Sequence, residues 1–416
     1  MKSREEAMRL GPLDRPIAEA TDTELGMHLL NARGVQWVMG SFGEPYARIL
    51  RGQADDPYPF YEPLRHVGPL MPSATGAFVT AEEAVAAAVV DGPGFGTATA
   101  DGAPAPPQLL PFFDGLPGLG RADVDRLRPV WEPAFGPGAA ADHRAAAERL
   151  HAAALDAVGD PDGGFELMAG FAWPAAASVT AELLGLPESA RPAFADCCRR
   201  LAVLPDAMLA GQQITRVREL DAAMAELDGL LAALPAPADG DPRAVRTVRT
   251  LVSALGTALA ANLIGNAVLA LLGEAKQWEA LVDAPDLAAA AVEETLRYDP
   301  PVQIEARVAR EATELGGMPV PAGGQVAAVV AAVGRDARVH ADPDRFDLER
   351  PDAARHLALR GLHYELLARL VRLQAEVALR TLAARLPGLR LDGPPLYRRR
   401  APVTRGPLEL PAAARP

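Results

Sequence analysis

A helix that stops at two consecutive prolines carries an acidic and a basic residue one turn apart, and this short segment constrains the fold most. Glu294 and Arg297 lie near the end of a predicted helix at 285–298, and Pro300 and Pro301 follow it. Residues three apart share a helical face, so the two side chains can form an ion pair. At a solvated surface such a pair contributes only about 0.2–0.5 kcal/mol. The residues that follow therefore decide what the pair means.

The segments after the prolines come in a recognisable order. They comprise Arg307, LGGMPVPAGGQV at 315–326, ADPDRFDLER at 341–350 and HLALRGLHYELLARL at 356–370. This order and spacing resembles the cytochrome P450 family, and the resemblance runs from about residue 56 to residue 411. It implies a mainly α fold with small peripheral β-sheets. We expect a P450-like domain at 56–416, preceded by an N-terminal helical extension at 1–55.

A buried charge network supports the fold in that family. It joins a glutamate and an arginine of this helix to an arginine of the later loop, and Glu294, Arg297 and Arg345 occupy the matching positions. Removing one partner of a buried ion pair costs about 3–5 kcal/mol. A structural role alone therefore accounts for these three residues.

The chain departs from the family at the loop that holds the haem iron. Family members read FGxGxHxCxG there, and the cysteine thiolate is the axial ligand that allows iron to cleave oxygen. Here residues 358–367 read ALRGLHYELL, so Glu365 stands at the ligand position and Leu367 at that of the following glycine. A carboxylate is a hard ligand without the electron donation of a thiolate. Since Cys197 and Cys198 fall in a distant predicted helix, the resemblance predicts that no haem cofactor is bound.

The helix that activates oxygen in the family has also changed. Family members carry AGx(D/E)T, whose acid and alcohol deliver protons to bound oxygen, whereas this chain has Ala258 and Leu259 at those positions. An earlier helix has Val124 in place of a histidine that contacts a haem propionate. The family's propionate contacts that remain are Arg128, Arg307 and His363. These losses predict that the protein is not an enzyme.

A lost haem leaves space that the core has to fill. Leu259, Leu359, Leu362 and Leu367 are larger and more apolar than the family residues at those positions, which predicts a collapsed cofactor cavity. One alternative is a haem-binding P450-type monooxygenase with an unusual axial ligand. Another is a haem-free enzyme that uses the old substrate pocket, although no nucleophile or acid–base pair stands at the positions expected to line it.

Composition and charge exclude several kinds of partner and site. The formal net charge is −13, which argues against nucleic acid, whose phosphates require basic clusters. The 7 histidines show no HExxH spacing, so no metal site is predicted. The longest apolar stretch, 259–272, is shorter than a membrane span and contains Asn262 and Gly265. With no apolar run behind the first charges, we expect a cytoplasmic protein without a membrane partner.

The N-terminal extension supplies the candidate surface for a partner protein. Thr21 and Glu24 have the spacing of a capping box that starts a helix. The candidate partner interface on this helix comprises Leu25, Leu29, Leu30, Trp37 and Val38, since tryptophan is favoured at interface hot spots. The alternative is that these residues cover the protein's own core. Deleting residues 1–50 is expected to abolish the partner's activation and to leave a folded remainder.

One subgroup of the family matches the whole pattern. Residues 32–65 and 73–84 resemble the P450-like auxiliary proteins that accompany deoxysugar glycosyltransferases in macrolide and anthracycline antibiotic biosynthesis. The resemblance implies a non-catalytic protein that binds, stabilises and activates a nucleotide-deoxysugar glycosyltransferase. It implies a heteromeric complex, for which a heterotetramer is one arrangement. A chaperone-like partner of some other enzyme is the remaining alternative.

Overall fold

The structure, a computed structural model, describes residues 13, 16–100, 110, 121–235 and 241–414, without the side chains of residues 121 and 363. Helices dominate these residues. They are α1 (Asp22–Ser41), α2 (Pro45–Leu50), α3 (Tyr58–Val67), α4 (Glu83–Asp91), α5 (Arg121–Phe135), α6 (Ala140–Asp156), α7 (Trp173–Leu183), α8 (Arg191–Leu201), α9 (Leu204–Leu209), α10 (Ile214–Ala232), α11 (Pro242–Leu251), α12 (Thr257–Gly273), α13 (Ala275–Asp283), α14 (Ala288–Tyr298), α15 (Val330–Gly334) and α16 (Leu362–Arg385).

The strands are short and lie at the edges of the helical body. They are β1 (Met71–Pro72), β2 (Phe78–Thr80), β3 (Phe95–Gly96), β4 (Phe165–Glu166), β5 (Glu305–Ala309), β6 (Thr313–Leu315), β7 (Met318–Val320), β8 (Gln325–Ala328), β9 (Leu389–Leu391), β10 (Leu396–Tyr397), β11 (Pro407–Glu409) and β12 (Pro411–Ala414). The largest sheet has the order β1-β2-β8-β5-β3, in which β2 and β8 run parallel and the other pairs antiparallel. The others have the orders β4-β12-β9, β6-β7 and β10-β11. The predicted mainly α fold with small sheets is confirmed.

A long central helix forms the middle of the core. α11 continues through a π-helical turn, Val252–Gly256, into α12, and every residue from 251 to 268 is buried. A helix that is apolar on all faces must be surrounded by other elements, and α12 packs against α7, α14 and α16. Helix 242–273 is long and apolar enough to cross a membrane, but 83% of its most apolar window is buried inside the protein, as in a core helix.

The N-terminal helices are part of this body. The predicted capping box is present, because Glu24 N–H donates to Thr21 Oγ1 at 3.2 Å and Thr21 N–H donates to Glu24 Oε2 at 2.8 Å. Leu25 and Leu29 are fully buried in an apolar cluster shared with α8 and α10. Tyr46 of α2 lies in a second cluster, shared with α3 and the largest sheet. The division at residue 55 remains a prediction, and the structure gives residues 17–50 a share of the common core.

This packing changes what a deletion of residues 1–50 would do. Removing α1 and α2 would uncover two apolar clusters to water, at roughly 25 cal/mol for each Å² of apolar surface. A folded remainder is therefore no longer expected, and single substitutions are the better test of the partner interface.

Candidate functional site

The buried charge network is present, with one change of partner. Arg297 donates from Nε and Nη2 to the two oxygens of Glu294, both at 2.7 Å, and both side chains are fully buried. Two parallel bonds of this kind give a strong, directional ion pair. The remaining Arg297 donors reach backbone carbonyls, including Gly334 O at 2.7 Å. The pair therefore ties the end of α14 to the end of α15 and to the loop that follows it.

The loop arginine of the network is Arg350, and the prediction of Arg345 is wrong. Arg350 Nε lies 3.0 Å from Glu294 Oε1, and its side chain is 7% exposed. The Arg345 side chain is 63% exposed and lies 3.8 Å from Asp347. Arg345 contributes only its carbonyl, which accepts a bond from Arg297 Nη2 at 3.1 Å. Both arginines stand in one ten-residue loop, and only the path of that loop decides which side chain turns inward.

Glu365, at the position of the family's cysteine, forms an ion pair with Arg128. Arg128 Nη2 donates to Glu365 Oε1 at 3.0 Å, and each side chain is about one third exposed. The hydrogen bond to Glu365 raises the pKa of Arg128, so the guanidinium keeps its charge. The pair joins α5 directly to the first turn of α16. The resemblance implies that the family's arginine at the position of Arg128 contacts a haem propionate. In this structure the carboxylate of Glu365 supplies a negative charge to Arg128 instead.

The leucines predicted to fill the cofactor space belong to one buried apolar cluster. Leu259, Leu359, Leu362 and Leu367 are its members, together with Ala258. Leu367 reaches the π-helical turn of the central helix, since a Cβ added at residue 256 would lie 3.5 Å from its Cδ2. The two replaced oxygen-activating positions therefore carry apolar side chains inside a packed core.

Gly361 allows the loop before α16 to approach α4 closely. Gly361 has a φ of +68°, and a Cβ there would lie 2.1 Å from Val90 O. Any other residue would meet that carbonyl, so the glycine is required by close approach as well as by backbone conformation. Leu359 and Leu362 also have positive φ angles, 56° and 44°. The neighbouring backbone thus sets the path of the loop that presents Glu365.

A second buried ion pair lies on β5. Arg307 Nη2 donates to Glu305 Oε2 at 2.5 Å, and both side chains are almost fully buried. The two residues are two positions apart on the strand, so their side chains lie on the same face. Burial raises the pKa of Glu305 to about 7, and the positive charge of Arg307 opposes that rise. Burial also raises the pKa of the nearby Tyr364, which keeps its phenol neutral.

A haem with thiolate ligation does not fit these residues. The group at the ligand position is a carboxylate already paired with Arg128, and Arg307 already has Glu305 as its counterion. Cys197 and Cys198 are buried in the cluster that contains α8, away from the cluster around Glu365. Burial raises the pKa of Cys197 to about 11, which disfavours its thiolate. In the described part of the chain, no three His, Cys, Asp or Glu side chains gather to hold a metal ion, and the His363 side chain lies outside it.

Glu365→Cys alone is expected to leave the protein without a Soret band. The substitution supplies a thiol but removes the nearest carboxylate of Arg128, which Asp125 and Glu132 approach only to 3.8 Å. It leaves the apolar cluster around Leu359 and Leu367 in place. The measurement is the absorption spectrum of protein produced with haem supplied, before and after reduction under carbon monoxide. Glu365→Gln serves as the matched control without a thiol. A thiolate-type Soret band in the cysteine variant alone would show that the pocket still accepts haem.

The predicted partner interface divides into a buried and an exposed half. Leu25 and Leu29 are fully buried, so their assignment to a partner surface is wrong; their alternative role in the protein's own core is the one observed. The outward face of α1 and its C-cap form an exposed stripe, which comprises Met27, Leu30, Trp37, Val38 and Phe42. Leu30 is 54% exposed, Trp37 55% and Phe42 85%.

The exposed stripe follows helical periodicity. Its members succeed one another at spacings of three, seven, one and four residues, which places them on one face of a helix. Sequence reasoning missed Met27 and Phe42, and the same periodicity would have found them. Large apolar side chains that share one exposed helical face are typical of a protein–protein interaction site.

Comparisons with known proteins agree with this architecture. The family model for cytochrome P450 matches residues 268–366. Protein DesVIII of Streptomyces venezuelae is 50% identical over 412 residues, which is 98% of this chain and 98% of that protein. Cytochrome P450 family protein EryCII of Saccharopolyspora erythraea is 35% identical and covers 93% of this chain and 98% of its own length. The crystal structure of Mycobacterium smegmatis CYP164A2 superposes with a TM-score of 0.76 at 32% identity, covering 89% of this chain and 99% of that one.

Proposed function

Because this chain belongs to the cytochrome P450 family, as full-length relatives show, and its ligand-position residue is an ion-paired glutamate, we propose that it is a non-catalytic auxiliary protein. Its partner in this proposal is a nucleotide-deoxysugar glycosyltransferase of natural-product biosynthesis, which it binds, stabilises and activates. The partner is named from the resemblance of residues 32–65 and 73–84 to auxiliary proteins of that kind.

The Glu365–Arg128 ion pair is the observation that carries the non-catalytic part of the proposal. P450 chemistry depends on a thiolate that donates electrons to iron. The carboxylate found here is bound to a neighbouring guanidinium at 3.0 Å, and Ala258 and Leu259 provide no proton donor on the central helix. These residues support the proposal that the fold was retained after its catalytic groups were lost.

The exposed stripe supports the binding part of the proposal. Trp37 and Phe42 offer large rigid side chains of the type that dominates interface energetics. The stripe stands on a helix whose opposite face is anchored in the core through Leu25 and Leu29. An anchored helix loses little conformational freedom on association, which favours affinity.

Activation follows from thermodynamic linkage. A protein that binds only the competent conformation of an enzyme stabilises that conformation by mass action. If about 1% of the free transferase is competent, selective binding can raise its activity by up to about a hundredfold. The proposed complex is heteromeric and cytoplasmic, with a heterotetramer as the arrangement to test.

Co-expression tests the proposal directly. Candidate glycosyltransferases from the same gene neighbourhood are produced with and without this chain. Glycosylated product, co-purification and complex mass are measured together with the absorption spectrum of the purified auxiliary protein. We expect a stable complex and no Soret band. We also expect at least about a tenfold gain in product, because only a small fraction of the free transferase is taken to be competent. A carbon-monoxide-sensitive Soret band with no effect on any transferase would instead support the monooxygenase with an unusual ligand.

A further inference from the structure

A cavity of about 270 Å³ lies between α2, α3 and the turn that joins β10 to β11. Its walls combine guanidinium groups with aromatic rings, namely Arg48, Arg51, Phe60, Tyr61, Arg398 and Arg405. No aspartate or glutamate is among the described residues that line it. The cavity is thus a basic pocket in a chain whose net charge is −13.

Two of the four arginines already have acidic neighbours. Arg405 Nε lies 2.8 Å from Asp299 Oδ1 in a nearly buried ion pair. Burial lowers the pKa of Arg398, and the negative charge of the buried Asp206 opposes that shift. Arg405 is thus paired within the protein, and Arg398 has a carboxylate near it.

Arg48 and Arg51 have no carboxylate partner in the described part of the chain. Arg48 is exposed and lies over the ring of Phe60, 5.0 Å from its centroid. Arg51 donates only to neutral acceptors, such as Ser41 Oγ at 2.9 Å and Gln36 O at 3.3 Å. The two residues are three apart at the end of α2, so they share one face and present two uncompensated positive charges there.

The pocket is continuous with the exposed stripe. The guanidinium of Arg51 lies 4.5 Å from the ring centroid of Trp37 and also lines the pocket. Arg51 stacks on Trp37 while its Nε and Nη2 donate to α1, so its Nη1 is the nitrogen left, within the described part of the chain, for a carboxylate acceptor. A partner that covers the stripe would therefore place its next residues over the pocket.

We infer that this pocket, with Arg48 and Arg51 at its mouth, receives an acidic segment of the partner glycosyltransferase whose apolar side chains cover the stripe. The inference rests on the proposed function and names the chemistry of the partner surface. The uncompensated arginines would speed association by attracting the acidic segment.

Charge reversal at Arg48 tests the inference. Surface plasmon resonance with the purified glycosyltransferase identified by co-expression compares wild type with Arg48→Glu, Arg48→Gln and Arg390→Glu. Arg390 is the matched control, since it is exposed on β9 and also lacks an ion-pair partner among the described residues. We expect Arg48→Glu to slow association about tenfold at low salt, Arg48→Gln to have a smaller effect, and both effects to shrink as salt screens the charges.

Three outcomes separate the possibilities. Wild-type binding that Arg48→Glu leaves unchanged, or that Arg390→Glu weakens equally, would refute the acidic-segment inference and leave the proposed function standing. Absence of binding and activation by the wild type would remove both. Titration of the isolated protein with inorganic pyrophosphate tests whether the pocket holds a small phosphate ligand instead of a protein segment. Pyrophosphate binding that Arg48→Glu abolishes, while the same variant associates with the transferase at the wild-type rate, would overturn the inference.

Discussion

Replacing two members of the exposed stripe by glutamate, Leu30→Glu with Trp37→Glu, is expected to weaken the affinity for the partner glycosyltransferase by at least about a hundredfold, since interface hot spots each contribute about 2 kcal/mol or more. Both side chains are more than half exposed, so the substitutions cost the isolated protein little stability. The bonds of Arg51 to this helix survive, because its acceptors there include the backbone carbonyls of residues 36 and 37. The measurements are transferase activity on titration with the variant and the affinity of the complex.

Two controls distinguish loss of an interface from loss of the fold. Val67→Glu changes an exposed apolar residue of α3 outside the stripe and is expected to activate like wild type. Leu29→Ala opens a cavity in the core, so we expect it to lower the free energy of unfolding by about 2–5 kcal/mol. A double glutamate variant that is folded and activates fully would exclude the stripe as the partner surface.

Glu294→Ala is expected to lower the free energy of unfolding by about 3–5 kcal/mol, the cost of leaving buried charges without a partner. The fully buried Arg297 would lose both of its charged bonds, and Arg350 would lose its ion-pair partner. Urea unfolding followed by tryptophan fluorescence measures the change. The effect lies in folding, so transferase activation should fall only in proportion to the fraction unfolded.

The two loop arginines provide a matched pair for the same network. Arg350→Ala is expected to destabilise the protein by several kcal/mol, because it removes a buried partner of Glu294. Arg345→Ala changes an exposed side chain whose nearest carboxylate lies 3.8 Å away, so its effect should stay within about 0.5 kcal/mol. Equal effects of the two substitutions, or a larger effect at Arg345, would contradict the assignment. This comparison remains informative if Glu294→Ala is insoluble.

The proposed loss of haem would amount to an exchange of counterions. According to the resemblance, the family's arginines at the positions of Arg128 and Arg307 are balanced by haem propionates. Here each has a protein carboxylate, Glu365 for Arg128 and Glu305 for Arg307. A buried arginine without a counterion is costly, so these pairs would let the fold keep both arginines if no haem is bound, as proposed.

Local order along the chain was sufficient to predict the fold. The segment with Glu294 and Arg297, the later loop and the start of α16 follow each other in the order and at the spacing of the cytochrome P450 family. The same order places Glu365 against the family's cysteine, an assignment that stays a prediction. These features depend on residue type and spacing, which the sequence states directly.

The tertiary structure alone decided which side chains face inward and which distant residues meet. Arg350 rather than Arg345 reaches Glu294, Leu25 and Leu29 point into the core while Leu30 and Trp37 point to solvent, and Arg128 meets Glu365 across 237 positions of sequence. The reason is physical: a rotation of about 100° per residue moves a side chain from one helical face to another, and a loop can turn either of two arginines inward. Burial and ion pairing depend on those orientations, which are set by the packing of the whole molecule.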